Sequence, residues 1–222
     1  MKKLGIIGGA GPLASALFYE TLVYESYRLQ RPLPEIVLLN YPFSRGLTPQ
    51  EKEENGPVVR QELLHCLHAV KNSGATTAVV VCNTLHLELQ KLLFPKNLQA
   101  ISLPHLVLAE IRAQQKTRLL LLGTENTCNS PLYRKSGLTI FSPSKEGQKV
   151  VNEVIDRILE GSVSQADARK IDEVIHTFPE EIDGVILGCT DLPVLHHHVP
   201  LKTTKTIYDS VKIPAKTLMR YL

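Results

Sequence analysis

The chain has 222 residues, 43% hydrophobic and 21% charged, with a formal net charge of +3 when histidine is neutral. This is the make-up of an ordinary globular protein, with enough length for one large core or two small ones. Aromatic residues are only 5% and the cations are scattered without a basic helix, so no nucleic-acid partner is expected. No apolar stretch approaches the roughly 18 residues needed to span a bilayer. The run at residues 4–7 is too short for a signal-peptide core, so a cytoplasmic protein without membrane contact is expected. Cys66, Cys82, Cys128 and Cys189 form no CxxC pair and read as reduced thiols.

In chain order, residues 4–7 predict a strand that ends at Gly8-Gly9-Ala10-Gly11-Pro12. A helical pattern runs from about 13 to 29 and is broken by Arg31-Pro32-Leu33-Pro34. Residues 36–39 predict a second strand, and 40–50 a loop holding Pro42, Arg45 and Pro49. Residues 51–72 carry helical periodicity through Val58, Leu63, Leu64, Leu67 and Val70. Its first residues, Glu51 to Glu54, read as a solvated helix face. Residues 77–81 predict a strand, 85–93 a helix and 100–103 a strand. The second half repeats the grammar: helix 105–115, strand 118–122, short helix 132–135, strand 138–141, helices 146–159 and 165–178, strand 184–187. Ile207-Tyr208-Asp209 is expected to open a final helix.

Alternating strands and helices argue for parallel sheets covered by helices. The two halves also echo each other. Leu4-Gly5-Ile6-Ile7-Gly8-Gly9 and Leu119-Leu120-Leu121-Leu122-Gly123-Thr124 both end in a small-residue loop, and each half later delivers an apolar strand, a cysteine and a nearby threonine. The expected fold is α/β, with two similar lobes related by a pseudo-twofold and an active site in the cleft between them. Residues 1–100 plus 206–222 form the expected first lobe, carrying Cys82. Residues 101–205 form the second, carrying Cys189. Ligands of parallel sheets bind at the carboxyl ends of the strands, and Gly8–Pro12, Cys82–Thr84, Gly123–Thr127 and Cys189–Asp191 all follow strands. Two thiols flanking one small molecule are the acid/base pair that a cofactor-free racemase needs.

Gly8-Gly9-Ala10-Gly11-Pro12, Cys82-Asn83-Thr84-Leu85-His86 and Gly188-Cys189-Thr190-Asp191 together resemble the aspartate/glutamate racemase family. The resemblance covers essentially the whole chain. It implies a pyridoxal-independent enzyme that needs no cofactor or metal, takes a small amino acid as substrate and forms a homodimer. It makes Cys82 and Cys189 the acid/base pair at Cα. It assigns Asn83, Thr84, Thr190, Thr124 and Thr127 to holding the α-carboxylate and α-amino groups. It also aligns Asn40-Tyr41-Pro42-Phe43-Ser44-Arg45 with a side-chain recognition loop, where Arg45 would pair with the distal carboxylate. Gly9 and Gly11 would let their loop approach the substrate closely. His86 and Asp191 would orient or tune the neighbouring thiols; the alternatives are a capping or surface role for His86 and a helix N-cap for Asp191.

The chain departs from the family pattern in three places. Asp191 stands where glutamate is usual, and Ser44 precedes the arginine where aspartate is common, in a shorter loop. A lysine used by some members has no counterpart in Asp156-Arg157-Ile158-Leu159-Glu160-Gly161. The glycine loop lacks GxGxxG spacing, so no dinucleotide is expected. His65-Cys66-Leu67-His68 reads as helix packing and His196-His197-His198 as an exposed turn, with no metal at either, and Cys128 reads as incidental. The rival activities are those of a hydantoin racemase or maleate isomerase relative. The rival of another class is a non-catalytic amino-acid-binding protein.

Overall fold

The computed structural model describes residues 3–44, 55–179 and 181–222. The chain divides into two units, Met1–Leu103 with Ala215–Leu222, and Pro104–Pro214. Each holds one four-stranded, all-parallel sheet flanked by helices.

In the first unit, β1 (Leu4–Gly8), β2 (Ile36–Asn40), β3 (Thr77–Val80) and β4 (Gln99–Ile101) lie in the order β2-β1-β3-β4. β1 and β3 are buried along their whole length. An inner parallel strand is covered on both faces, so it is apolar throughout rather than alternating. Parallel neighbours cannot be joined by a tight turn, and helices α1 (Pro12–Leu29) and α2 (Gly56–Asn72) serve as crossovers. Pro12 opens α1, where its missing N–H costs nothing. Gln30 closes it in the left-handed region at φ 52°, a conformation that returns its N–H to the last turn. α2 packs tightly on β1: a Cβ built on Gly5 would lie 2.7 Å from Cβ of Val70, so the strand carries glycine there. Arg45 and residues 51–54, expected in the loop and at the start of this helix, lie outside the described residues.

The short α3 (His86–Leu89) follows β3, and α4 (Leu103–Ala113) begins on the last residue of the first unit. In the second unit, β5 (Arg118–Leu122), β6 (Thr139–Phe141), β7 (Gly184–Leu187) and β8 (Thr206–Asp209) lie in the order β6-β5-β7-β8. This is the order of the first sheet. α5 (Glu125–Asn129) and α6 (Pro131–Arg134) follow β5, and α7 (Lys145–Leu159) and α8 (Gln165–His176) follow β6. Ser144 and Ser164 cap α7 and α8, each side chain accepting a backbone N–H in the first turn. The two helices bury Val151, Val154, Ile155 and Ile158 on one side and Ala168, Ile171, Val174 and Ile175 on the other. Arg157 and the buried Asp167 pair across them, with Nε donating to Oδ1 at 2.7 Å.

α9 (Asp191–His198) and α10 (Lys212–Tyr221) complete the chain. Three local expectations fail. Residues 207–209 end a strand rather than open a helix, because 206–209 pair in register with β7. Asp209 then stops the strand and starts α10, its Oδ1 accepting N–H groups from Val211 and Lys212 at 2.8 and 2.7 Å. Residues 206–214 therefore belong with the second sheet, and only Ala215–Leu222 return to the first unit. His196, His197 and His198 form the last turn of a helix rather than a loop turn; His197 and His198 are exposed, and Nδ1 of His196 accepts the Leu201 N–H at 3.1 Å. The loop after Gly123 folds its own helical turn from Glu125.

Candidate active site

At the carboxyl edge of the first sheet, three loops are built onto one another. Gly8 ends β1, and its carbonyl accepts the Tyr41 N–H at 2.9 Å. Gly9 sits at φ +110°, and a Cβ there would lie 2.1 Å from the carbonyl oxygen of Tyr41. Only glycine fits that approach. Gly9 and Gly11 are buried. The chain beyond β2 is held from the other side by α2. The Ser44 hydroxyl and N–H donate to the Glu62 carboxylate at 2.6 and 3.0 Å, and the His65 ring lies 5.7 Å from that of Tyr41. Sequence reasoning missed Glu62, because only the fold brings it to a residue so distant in the chain.

Cys82 stands two residues past the end of β3 and is partly exposed. The Val81 N–H donates to the Ile7 carbonyl at 2.9 Å, extending the ladder to the cysteine's doorstep. Asn83 is buried and Thr84 half-buried beside it. His86 is 1% exposed and has both ring nitrogens engaged: Nδ1 with the Cys82 carbonyl at 2.8 Å, Nε2 with the Leu103 N–H at 3.2 Å. It holds the backbone of the cysteine through its carbonyl.

The second sheet presents the same arrangement. Cys189 stands two residues past the end of β7, and the Gly188 N–H donates to the Leu122 carbonyl at 2.6 Å, as Val81 does to Ile7. Cys189 and Thr190 are buried. Thr190 is the N-cap of α9 but its side chain makes no capping bond. Asp191 occupies the first helical position, and the Cys189 thiol donates to its Oδ2 at 3.4 Å. The carboxylate therefore meets the sulfur itself. Gly123 lies against this loop, where a Cβ would stand 3.3 Å from the carbonyl carbon of Gly188. Thr124 caps α5 by accepting the Thr127 N–H, and its hydroxyl donates to that of Thr127 at 3.1 Å. Gln148, also missed from sequence, donates to the Gly123 carbonyl at 2.8 Å from α7.

Burial sorts the remaining titratable groups. It pushes the Cys66 thiol up to about 12 and the Cys128 thiol up to about 11, so both stay protonated at neutral pH. Cys66 packs in the core against β1 and β3, and Cys128 sits at the foot of the Gly123 loop, near the carbonyls of Leu121 and Gly123. Burial also raises the Tyr133 phenol far above its usual range, reinforced by negative charge at Cys189.

Acidification is expected to weaken the fold in two stages. Burial keeps His86 and His196 neutral in the folded protein, whereas the unfolded chain protonates them below their ordinary value of 6.5. The unfolded state then binds more protons, so stability falls as pH drops from 6.5 towards the lower folded values. Burial works against ionised Asp167, but hydrogen bonds from Ser164 and Arg157 still hold its carboxyl below the ordinary 3.8. Backbone bonds from Thr117 and Arg118 do the same for Asp183. Their contribution is present above 3.8 and is lost as pH falls through the folded values. Urea midpoints measured across this range check the order. Burial raises the Asp209 carboxyl, which works the other way, so a midpoint flat between about pH 7 and pH 5 would mean that the two rings contribute no more than this carboxyl offsets.

The fold and these loops define an α/β protein with two like-ordered parallel sheets, each carrying one cysteine at its carboxyl edge. Residues 7–218 match the sequence profile of the Asp/Glu/Hydantoin racemase family, and the chain belongs to that family. A glutamate racemase from Aquifex aeolicus (strain VF5) is 26% identical over 165 residues, a match covering 71% of this chain and 63% of that protein. The structure of an aspartate racemase homologue from Pyrococcus horikoshii OT3 aligns with a TM-score of 0.73 at 26% identity, over 100% of this chain and 99% of that one. Picrophilus torridus aspartate racemase aligns with a TM-score of 0.79 at 23% identity, over 100% and 94% of the two chains, which speaks to the fold alone. Among the described residues no helix is long and apolar enough to cross a membrane.

Proposed function

We propose that this protein racemises an acidic amino acid, aspartate or glutamate, without a cofactor, using Cys82 and Cys189 on the two faces of one α-carbon. The observation that carries this reading is the equivalence of the two thiols. Each follows an inner strand at the same position in a sheet of the same order, two residues past the last paired residue. An amino-acid-binding protein has no use for such a matched pair.

In the reaction, one cysteine as thiolate takes the α-proton and becomes a thiol. The electron pair left on Cα delocalises into the carboxylate, and the other thiol returns a proton to the opposite face and becomes the thiolate. The product leaves the two sulfurs with exchanged protonation, and the reverse reaction restores them. The α-proton of an amino acid is a very weak acid, so the step needs oriented donors at the carboxylate where charge develops. Asn83, Thr84, Thr124, Thr127 and Thr190 supply them, together with the N–H groups of the Gly9–Gly11 loop. Asp191 tunes the Cys189 thiol through their hydrogen bond, and Arg45 takes the distal carboxylate. The working form is a cytoplasmic homodimer, which sedimentation of the purified protein tests.

Proton NMR of L-aspartate and L-glutamate, incubated separately with the reduced enzyme in D₂O, tests the activity. Loss of the α-proton signal with appearance of the D form by chiral analysis is the expected result and names the substrate. Unchanged spectra for both would overturn it, and hydantoins and maleate are then the substrates to try.

A further inference from the structure

His86 carries an inference beyond the roles just assigned. The Cys82 carbonyl can only accept and the Leu103 N–H can only donate, so these two bonds suit a neutral ring with its proton on Nδ1, beside a second carbonyl, that of Ile101. The Cys82 peptide frame is thereby held on both sides. Upstream the Val81 N–H is bound to Ile7, and downstream the carbonyl is bound to the imidazole. Side chain and carbonyl share one Cα, so pinning the carbonyl fixes the direction of the Cα–Cβ bond that carries the sulfur and limits the sulfur to the few staggered positions about it. The other end of the ring grips Leu103, the last residue before the chain enters the second unit. Cys189 is held differently. Its carbonyl is taken by the Leu192 N–H of its own helix, and its thiol by Asp191.

We propose that His86 is a positioning residue for Cys82 alone, aiming that thiol through its carbonyl and tying it to the point where the chain leaves the first unit. The inference rests on the two-thiol reading above. Its consequence is one-sided: losing the clamp harms deprotonation of one enantiomer and spares the other.

The experiment measures initial rates of α-proton exchange in D₂O for the L and D substrates separately, in the parent, His86→Leu and His86→Asn proteins. Cys82→Ala identifies which enantiomer depends on Cys82. His86→Leu is expected to slow exchange of that enantiomer by about ten- to a hundredfold, the cost of a misaimed reacting group, and to leave the other within about twofold. His86→Asn places an amide donor near the Cys82 carbonyl and is expected to restore most of the loss. Equal losses for both enantiomers, or no loss for either, overturn the proposal. Rates of Cys82 and Cys189 alkylation by iodoacetamide, read by mass spectrometry, give a measure that needs no turnover. A change at Cys82 alone is expected in His86→Leu, and equal changes or none at the two cysteines overturn it. If the parent exchanges no α-proton, the racemase reading fails while the alkylation result still decides the clamp.

Discussion

Cys82→Ala and Cys189→Ala should each abolish racemisation, by a factor of about a thousand or more, while keeping exchange on one face. Suppose Cys82 serves one enantiomer. Its alanine variant cannot deprotonate that form, yet Cys189 still removes the proton of the other and returns a solvent deuteron from the same side. The product is the starting enantiomer, deuterated. Cys189→Ala should show the mirror image, deuterating only the opposite form. Cys66 and Cys128 make suitable controls, being fully buried thiols that stay protonated at neutral pH. Alanine at either is expected to change stability without changing which enantiomer exchanges. Full racemisation by either variant of the proposed pair, or loss of both exchanges in each, would remove the two-base mechanism.

The second large effect falls on Gly9. An added methyl meets the Tyr41 backbone, with oxygen at 2.1 Å and nitrogen at 2.6 Å, and neither is a flexible chain end that can swing away. The φ of +110° is itself unfavourable for any other residue. The loop after β1 and the chain leaving β2 must then separate, breaking the Tyr41-to-Gly8 hydrogen bond. Gly9→Ala is expected to cost about 3 kcal/mol or more, lowering Tm by on the order of 10 °C in a chain of this size. Gly137 is the control: it has φ +77° but nothing within 4 Å of an added Cβ, so its alanine variant carries only backbone strain of about 1–2 kcal/mol. Equal losses at both positions, by calorimetry or urea melting, would mean that the contact with Tyr41 adds nothing.

Much of this was readable in the chain, for identifiable reasons. β1, β3, β5 and β7 are inner strands covered on both faces, so their apolar runs are continuous and hard to mistake. β8 was misread because it is a four-residue edge strand whose last residue serves as the cap of the next helix. α9 was legible only at its start, where Asp191 reads as a helix cap, because Pro193 and three consecutive histidines obscure the rest of the helix. The two cysteine loops could be found because strand, cysteine and polar residue lie together in sequence. Their supports could not. Glu62 reaches Ser44, Gln148 reaches Gly123 and His86 reaches Leu103, and no local pattern predicts a partner that only the fold supplies.

The discontinuity of the first unit bears on how the protein is made. Its sheet and α1 lie within the first 103 residues, but its final piece, Ala215–Leu222, is the last stretch of the chain. Arg31, just past α1, donates to the carbonyl of Arg220 at 2.8 Å, and the Glu25 carboxyl feels the charges of Lys216 and Arg220. On the ribosome, the first unit must therefore wait with that surface of α1 uncovered while the whole second unit is synthesised. The second unit is one continuous segment and can close as soon as Pro214 emerges. The order of emergence thus favours completion of the Cys189 half before the Cys82 half, and leaves Arg31 and the Glu25 end of α1 without their C-terminal partners until then.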